Sequence, residues 1–484
     1  MIQNEPKTET SLFQPVVEKL PVEFDLWYCF ERLQHLPHLL VLESSMQHES
    51  LGRYSYMMAD PVLWLEPDSI SEMAAQLSKL NSQQIESLPP FQGGLSGLIA
   101  YDYNRKLESI PQNAIHDFTP PPLAFGLYDV VLAFDHNTKA AWLISQGFKK
   151  TLGRSEGWES TSSRTEHAKF RSDAFWKILH SDPLRSHIKS PPPKEISELA
   201  PQFPVPGPEG LTSDFSREHY LSAAQKCIDY IYAGDVFQIN LSQRLLAPAS
   251  CSSAELYHRL RNCNPATFSG FFDLGESQVI SASPERFISI HDSEIETRPI
   301  KGTRRRTRFP QIDLAVAQQL LSSEKDRAEN IMIVDLMRND LSKICEDDSV
   351  EVTQLCELEK YQSVFHLVSA VKGKLRSTVS VFEALEATFP GGSITGAPKV
   401  RAMEIIAELE PTSRGAYCGS LGYIGLNGDV DFNILIRTIT ASGGWWQVPV
   451  GGGLVAQSDP LREYEETWTK AAGMLAAIAR RNEA

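Results

Sequence analysis

The order of short apolar runs between residues 214 and 480 restricts the fold more than any other feature. Runs at 268–272, 279–283, 287–290, 420–425 and 434–440 have strand length and hairpin-like spacing. Three helical patterns accompany them. Ser216 can cap a helix with Glu218 in its first turn, Ala224, Cys227, Ile228 and Ile231 along one face, and Gly234 at its end. A second pattern runs from Glu324 to about Arg338, with Ala328, Ile331, Met332 and Asp335 in one stripe. Asp459-Pro460 opens a third, with Leu461, Trp468, Leu475 and Ile478 as its core face. Strands at hairpin spacing do not make a regular βαβ alternation, so the pattern predicts an α+β fold.

The rest of the chain divides into two further zones. Residues 12–148 carry strand-like runs at 39–42, 95–101 and 130–134, punctuated by Pro89-Pro90 and Pro120-Pro121-Pro122. Residues 149–212 are poorer in apolar side chains. They contain SEGWESTSSRTE, SPPPK at 190–194 and FPVPGPEG at 203–210, and read as helix remnants plus a polar linker. The catalytic zone is then 214–480.

The first residues, MIQNEPKTETSLFQP, lack the apolar core of a signal peptide. No apolar run approaches the ~20 residues that span a bilayer. Seven cysteines, odd in number and never spaced as CxxC, argue against a disulfide framework or zinc site and for a reducing cytoplasm. A net charge of −15 removes any general attraction for nucleic acid or anionic lipid. An anionic substrate must then be held by local cations and backbone N–H donors.

Residues suited to that task are present. Asp326 and Glu329 share one helix face, as do Glu463, Glu466 and Lys470 on another. Facing carboxylates of this kind suit Mg²⁺, although each cluster alone reads equally as a solvated helix surface. The stretch 390–399, PGGSITGAPK, brings a glycine loop to the start of a helical run, where unpaired N–H groups meet anions. It lacks the GxxxxGK[ST] of a nucleotide-binding loop. The triple glycine 451–453 permits close backbone approach. Lys301, wedged between Pro299-Ile300 and Gly302, has restricted solvent access and is a candidate nucleophile. Glu285, after Ser283-Pro284 at a strand end, is a candidate general acid or base. His366 lies in an apolar run and reads as a hydrogen-bonded core residue. RRRTR at 304–308 reads as a solvated basic loop. The residues alone indicate an enzyme, Mg²⁺-dependent, acting on a small carboxylate-bearing substrate.

The motifs SPERF, RPIKGT, DRAENIMIVDLMRNDL, FHLVSAVKGKL, FPGGSITGAPKVRAMEII, YCGSLGYIGLNGDVDFNILIRT and GGGLVAQSDPLREYEET resemble the chorismate-utilising enzymes. That family includes anthranilate, aminodeoxychorismate, isochorismate and salicylate synthases. The resemblance is strong over 214–480 and weaker before it, through LESS at 42–45 and GRYSY at 52–56. It implies antiparallel sheets sandwiched with helices, with the N-terminal zone a smaller part of the same assembly. Anthranilate synthases carry PIAGT where the aminodeoxychorismate branch carries PIKGT. Lys301 therefore resembles the second branch, which feeds p-aminobenzoate and folate synthesis, while LESS would fit the first as the alternative.

The resemblance further implies roles. Glu329 and Glu466 would bind Mg²⁺, with Asp326 and Glu463 beside them, holding the ring carboxylate of chorismate. Gly396, Ala397, Gly452 and Gly453 would donate backbone N–H bonds. Tyr417, Arg437 and Lys470 would hold the enolpyruvyl carboxylate and metal-side oxygens. Thr303, His366 and Ser393 would line the ring. Lys301 would attack ring carbon C2 as Glu285 protonates the departing C4 hydroxyl, and ammonia would then expel the lysine. The GxCxG motif of glutamine hydrolysis is absent from the sequence, which implies a separate glutamine amidotransferase subunit as ammonia donor. Ser44, with Thr267, Phe268 and Ser269, marks a candidate amino-acid pocket.

Overall fold

Alternation along the strands sets the layers. A computed structural model of the chain describes residues 12–46, 52–113, 115–118, 120–149, 161–184, 193–361 and 364–480. The first eleven residues, all of SEGWES and the start of SPPPK lie outside them.

Val41, Met57, Leu132, Phe271 and Ile280 share one buried cluster with helices. Their chain neighbours Leu40, Met58, Val131, Phe272 and Val279 share another with residues of a second sheet. Both faces of this first sheet are thus buried. The second sheet repeats the pattern: Leu98, Ala124, Leu421 and Tyr423 face the first sheet, while Leu95, Phe125, Leu127 and Phe432 face helices. The layers run helices, sheet, sheet, helices. All ladders between named strands are antiparallel, and the fold is α+β.

Among the described residues the first sheet has thirteen strands and the second ten. Residues of 12–148 contribute to both. Leu40–Glu43 pairs with Phe268–Asp273, Leu42 opposite Gly270. Gly94–Ile99 pairs with Ser420–Gly425, Ser420 opposite Ile99. The middle zone supplies a 19-residue helix, Thr161–Leu179. Phe175 and Leu179 enter the first helix–sheet core. Arg171 pairs with Asp60 at 2.7 Å and Asp129 at 2.9 Å.

The catalytic-zone helices form with the expected caps. Ser216 Oγ accepts the N–H of His219 at 3.2 Å, and Gly234 ends helix Arg217–Ala233 at φ 85°. Helix Glu324–Ser342 starts from Ser323, whose side chain accepts the N–H of Asp326. Its buried face is Asn330, Ile333, Val334, Met337 and Leu341; of the predicted stripe, Ala328, Ile331 and Asp335 turn outward and Met332 is half-buried against the second-sheet core. Adjacent apolar pairs at 331–334 allow two helical phases, and packing selects the second. Helix Pro460–Ala479 buries Tyr464, Thr467, Ala471, Met474 and Ile478, whereas Leu461 is exposed.

The predicted strand 434–440 is strand only from Thr438 onward, because the chain changes sheets just before it. Val430–Asn433 belongs to the second sheet and Thr438–Ser442 to the first. The chain crosses between sheets at 434–437, with Arg437 at φ 52°. A crossing in the opposite sense joins Ser277–Ser283 to Arg286–His291. The two crossings are bonded to each other: Ser283 Oγ donates to Ile434 O at 2.5 Å, and Ile434 N donates to Glu285 O at 3.0 Å.

Candidate active site

Glu285 sits on the first crossing, so the register of both sheets fixes its backbone. Its carboxyl is buried and accepts a hydrogen bond from Ser393 Oγ at 2.7 Å. Lys301 Nζ donates to the backbone oxygen of the same Ser393 at 3.0 Å. One residue of the glycine loop thereby joins the two candidate catalytic groups.

Lys301 lies in strand Ile300–Arg305, just before a register shift against Val364–Lys374. Gly302 occupies the shift at φ 69°, where a Cβ would stand 2.8 Å from Leu320 Cδ1 and 3.1 Å from Asp326 Cγ. A glycine bulge of this kind re-aims the neighbouring side chain. Beyond it Thr303 sits opposite His366, with Oγ1 and Nδ1 2.9 Å apart.

Burial dominates the electrostatics. It pushes the Glu285 carboxyl above its ordinary range, against the opposing pull of Lys301. It pulls the Lys301 ammonium below its ordinary value, opposed by Glu285 and Glu329. The pair is therefore biased toward neutral acid and neutral amine. His366 falls to about 4 through burial, with Arg437 adding to the effect, and is neutral at physiological pH. Burial raises the Tyr417 hydroxyl well above its ordinary value and lowers Arg437.

The glycine loop is a short turn, Gly392–Ile394, then Gly396–Ala397 paired with Gln238 and Ile239, then helix Lys399–Leu409. Gly396 has φ 149°, and a Cβ there would strike Gln238 O at 2.1 Å. Arg414 holds the loop, donating to Ile394 O at 3.1 Å and Asn240 O at 2.7 Å. Gly452 and Gly453 lie opposite Leu241 and Asn240 in strand Trp445–Leu454. A Cβ on Gly452 would stand 3.3 Å from Lys470 Nζ, 3.4 Å from Glu463 Oε2 and 3.7 Å from Glu466 Oε1.

The carboxylates are matched by lysines. Lys470 Nζ lies 2.7 Å from Glu466 Oε1 and donates to Gly451 O at 2.9 Å. Lys470 holds Glu466 below the ordinary carboxyl range, whereas burial raises Glu329. Lys325 Nζ lies 3.8 Å from Glu329 Oε1 and 3.6 Å from Glu463 Oε1. Asp326 pairs with Arg304 at 3.0 Å. The basic run is therefore not a solvated loop: Arg304 and Arg305 are in the strand, and Arg306 pairs with Asp313 at 3.0 Å. Among the described residues no three His, Cys, Asp or Glu side chains close on one point. Even so, the hollow at Gly452 is edged by hard carboxylate oxygens whose charge two flexible lysines now balance. That donor chemistry fits Mg²⁺.

Sequence reasoning missed Gln238. Its side chain is fully buried beside Gly453, and neither amide atom has a hydrogen-bond partner among the described residues. An amide within an apolar run carries no local signal of such a position. Thr267, Phe268 and Ser269 line a separate cavity of about 350 Å³, together with Arg53, Arg286, His291 and Asp431. Ser44 stands behind its wall, with its hydroxyl on Met46 O at 3.0 Å.

An acid, an amine and two glycine cradles around a carboxylate-lined hollow define a site for a small anionic substrate, and its family is recognisable. A family model described as chorismate binding enzyme matches residues 42–476, and the chain belongs to that family of enzymes. Aminodeoxychorismate synthase component 1 of Salmonella typhimurium is 36% identical over 476 residues, covering 94% of this chain and 96% of that protein. Anthranilate synthase component 1 of Thermus thermophilus is 39% identical over 391 residues, covering 81% and 78%. The crystal structure of anthranilate synthase component I from Streptococcus pneumoniae superposes with a TM-score of 0.72 at 30% identity, covering 89% of this chain and 94% of that one. Among the described residues no helix is long and apolar enough to cross a membrane.

Proposed function

We propose that this chain converts chorismate and ammonia to 4-amino-4-deoxychorismate. The observation that carries the reading is Lys301, joined through Ser393 to the buried acid Glu285. The neutral Lys301 amine would form a bond to ring C2 as the ring double bonds shift and the C4–O bond breaks. Glu285 would give its proton to that oxygen, and water would leave. Ammonia would add at C4, the C2–N bond would break toward Lys301, and the new ammonium would return a proton to Glu285. Two assisted displacements replace one difficult substitution. The enolpyruvyl group is kept throughout.

Glu329, Glu463 and Glu466 would hold Mg²⁺, whose chemistry is to neutralise the ring carboxylate. Arg437, Tyr417 and Lys470, with the N–H groups of Gly396, Ala397, Gly452 and Gly453, would hold the carboxylates. Thr303, His366 and Ser393 would line the ring, and the Gln238 amide would face it. Ammonia would come from a glutamine amidotransferase subunit in the cytoplasm; relatives named as component 1 support the presence of a second component. The 350 Å³ cavity would take an amino acid, with Arg53 or Arg286 on its carboxylate.

The test is chorismate turnover with Mg²⁺ and ammonium, with products identified by mass. An aminated product retaining the enolpyruvyl mass is expected, and Lys301→Ala should remove it. Release of anthranilate with pyruvate would instead establish the anthranilate reading, which the Thermus thermophilus relative favours.

A further inference from the structure

Lys325 stands between the two acidic helices, one turn before Glu329. Its ammonium is within 4 Å of a carboxylate oxygen on each: 3.8 Å from Glu329 Oε1 and 3.6 Å from Glu463 Oε1. Glu463 is 4% exposed, and its Oε1 also accepts Ser458 Oγ at 2.7 Å. Its other oxygen is the one that faces the Gly452 hollow. Two carboxylates on opposed helices repel each other unless a cation lies between them. Here that cation is a side chain of the protein.

We propose that Lys325 is an internal counter-ion of the acidic site, which a divalent cation must displace in order to bind Glu329 and Glu463. The inference rests on the Mg²⁺ reading above. Three observations support it. A lysine four residues before a glutamate is the weaker order for a helical ion pair, so the contact across to Glu463 is the one that joins the helices. The Lys325 side chain is 54% exposed, against 30% for Lys470. It can turn into solvent with little reburial or desolvation of its charge. The other cations nearby have their own partners: Lys470 on Glu466 at 2.7 Å, Arg304 on Asp326 at 3.0 Å, and Lys301, which also acts on Glu329, on Ser393 O at 3.0 Å. An ammonium on Oε1 of Glu463 and a divalent ion on Oε2 of the same carboxylate would repel each other strongly. Lys325 therefore lowers the affinity of the site for the metal while keeping the empty site assembled.

The full chain, stripped of metal with a chelator, is titrated with Mg²⁺ by calorimetry as wild type, Lys325→Met and Lys325→Arg. Lys325→Met should bind Mg²⁺ about three- to tenfold more tightly, the range for loss of one partly screened charge. Its metal-free melting temperature should fall, and Mg²⁺ should raise it by more than in wild type. Lys325→Arg should behave as wild type, and added salt should narrow the difference. Equal or weaker binding by Lys325→Met overturns the counter-ion proposal alone. No Mg²⁺ uptake by any of the three overturns the metal reading and the proposal together.

Discussion

Gly452→Ala separates the chemistry of the site from the stability of the fold. Gly452 does not use a left-handed backbone conformation, so alanine is allowed there. The nearest atoms to the added methyl would be the ends of three long side chains, at 3.3 Å from Lys470 Nζ, 3.4 Å from Glu463 Oε2 and 3.7 Å from Glu466 Oε1. The lysine tip gives way cheaply, and replacing a strand glycine restricts the unfolded chain by about 0.4–1 kcal/mol. The melting temperature should hold or rise slightly. The methyl also fills the hollow between the carboxylates. Losing one charge-assisted contact there costs about 1.5–3 kcal/mol, or roughly 10- to 150-fold in kcat/KM. Gly453→Ala is the contrast, because its Cβ would lie 2.1 Å from the buried Gln238 Nε2 and must disturb packing. The assay is chorismate loss with ammonium and Mg²⁺, beside thermal unfolding. A well-folded Gly452→Ala enzyme with kcat/KM within twofold of wild type would refute the claim that substrate or metal occupies this hollow.

Two further outcomes follow from the titrating groups. The Glu285 acid is held above its ordinary range by burial, so wild-type kcat should decline as pH rises through its pKa. Glu285→Gln should lose about 10²–10⁴ in kcat and lack that decline, and a surviving alkaline limb would assign it to another group. Asp214 is raised by burial from 3.8 to about 6, with Arg244 opposing. The stability linked to its protonated form is full below pH 3.8 and is lost as pH rises through 6. At 1.36 kcal/mol per pH unit the loss reaches about 3 kcal/mol at pH 8 and roughly half that at pH 5. Asp214→Asn should therefore unfold at higher urea than wild type at pH 8, with a smaller gain at pH 5. An equal gain at both would show that Asp214 is not the source.

Local signals were legible in the sequence, and long-range ones were not. Ser216 and Gly234 mark their helix because caps act within one turn. Lys301 could be singled out from its Pro-Ile and Gly neighbours, and the bulge at Gly302 explains why a glycine stands there. The face of helix Glu324–Ser342 could not be read, because Ile331-Met332 and Ile333-Val334 satisfy two phases equally. The break at 434–437 has no sequence signature, since it arises where a strand pair changes sheets. Gln238, and the partners of Arg304 and Arg306, depend on residues distant in the chain. The helix Thr161–Leu179 is polar along most of its length and is held through Arg171, Phe175 and Leu179.

The pairing of Leu42 with Gly270 also has a consequence for synthesis. At about 5–20 residues per second, a ribosome that has made the first strand of this pair takes roughly 10–50 s to deliver the second. Throughout that interval Leu40–Glu43 has one edge open, with alternate apolar side chains awaiting a partner. Such an edge recruits other chains. Truncations that end before residue 268 should therefore aggregate during expression even though they contain an intact run of N-terminal strands.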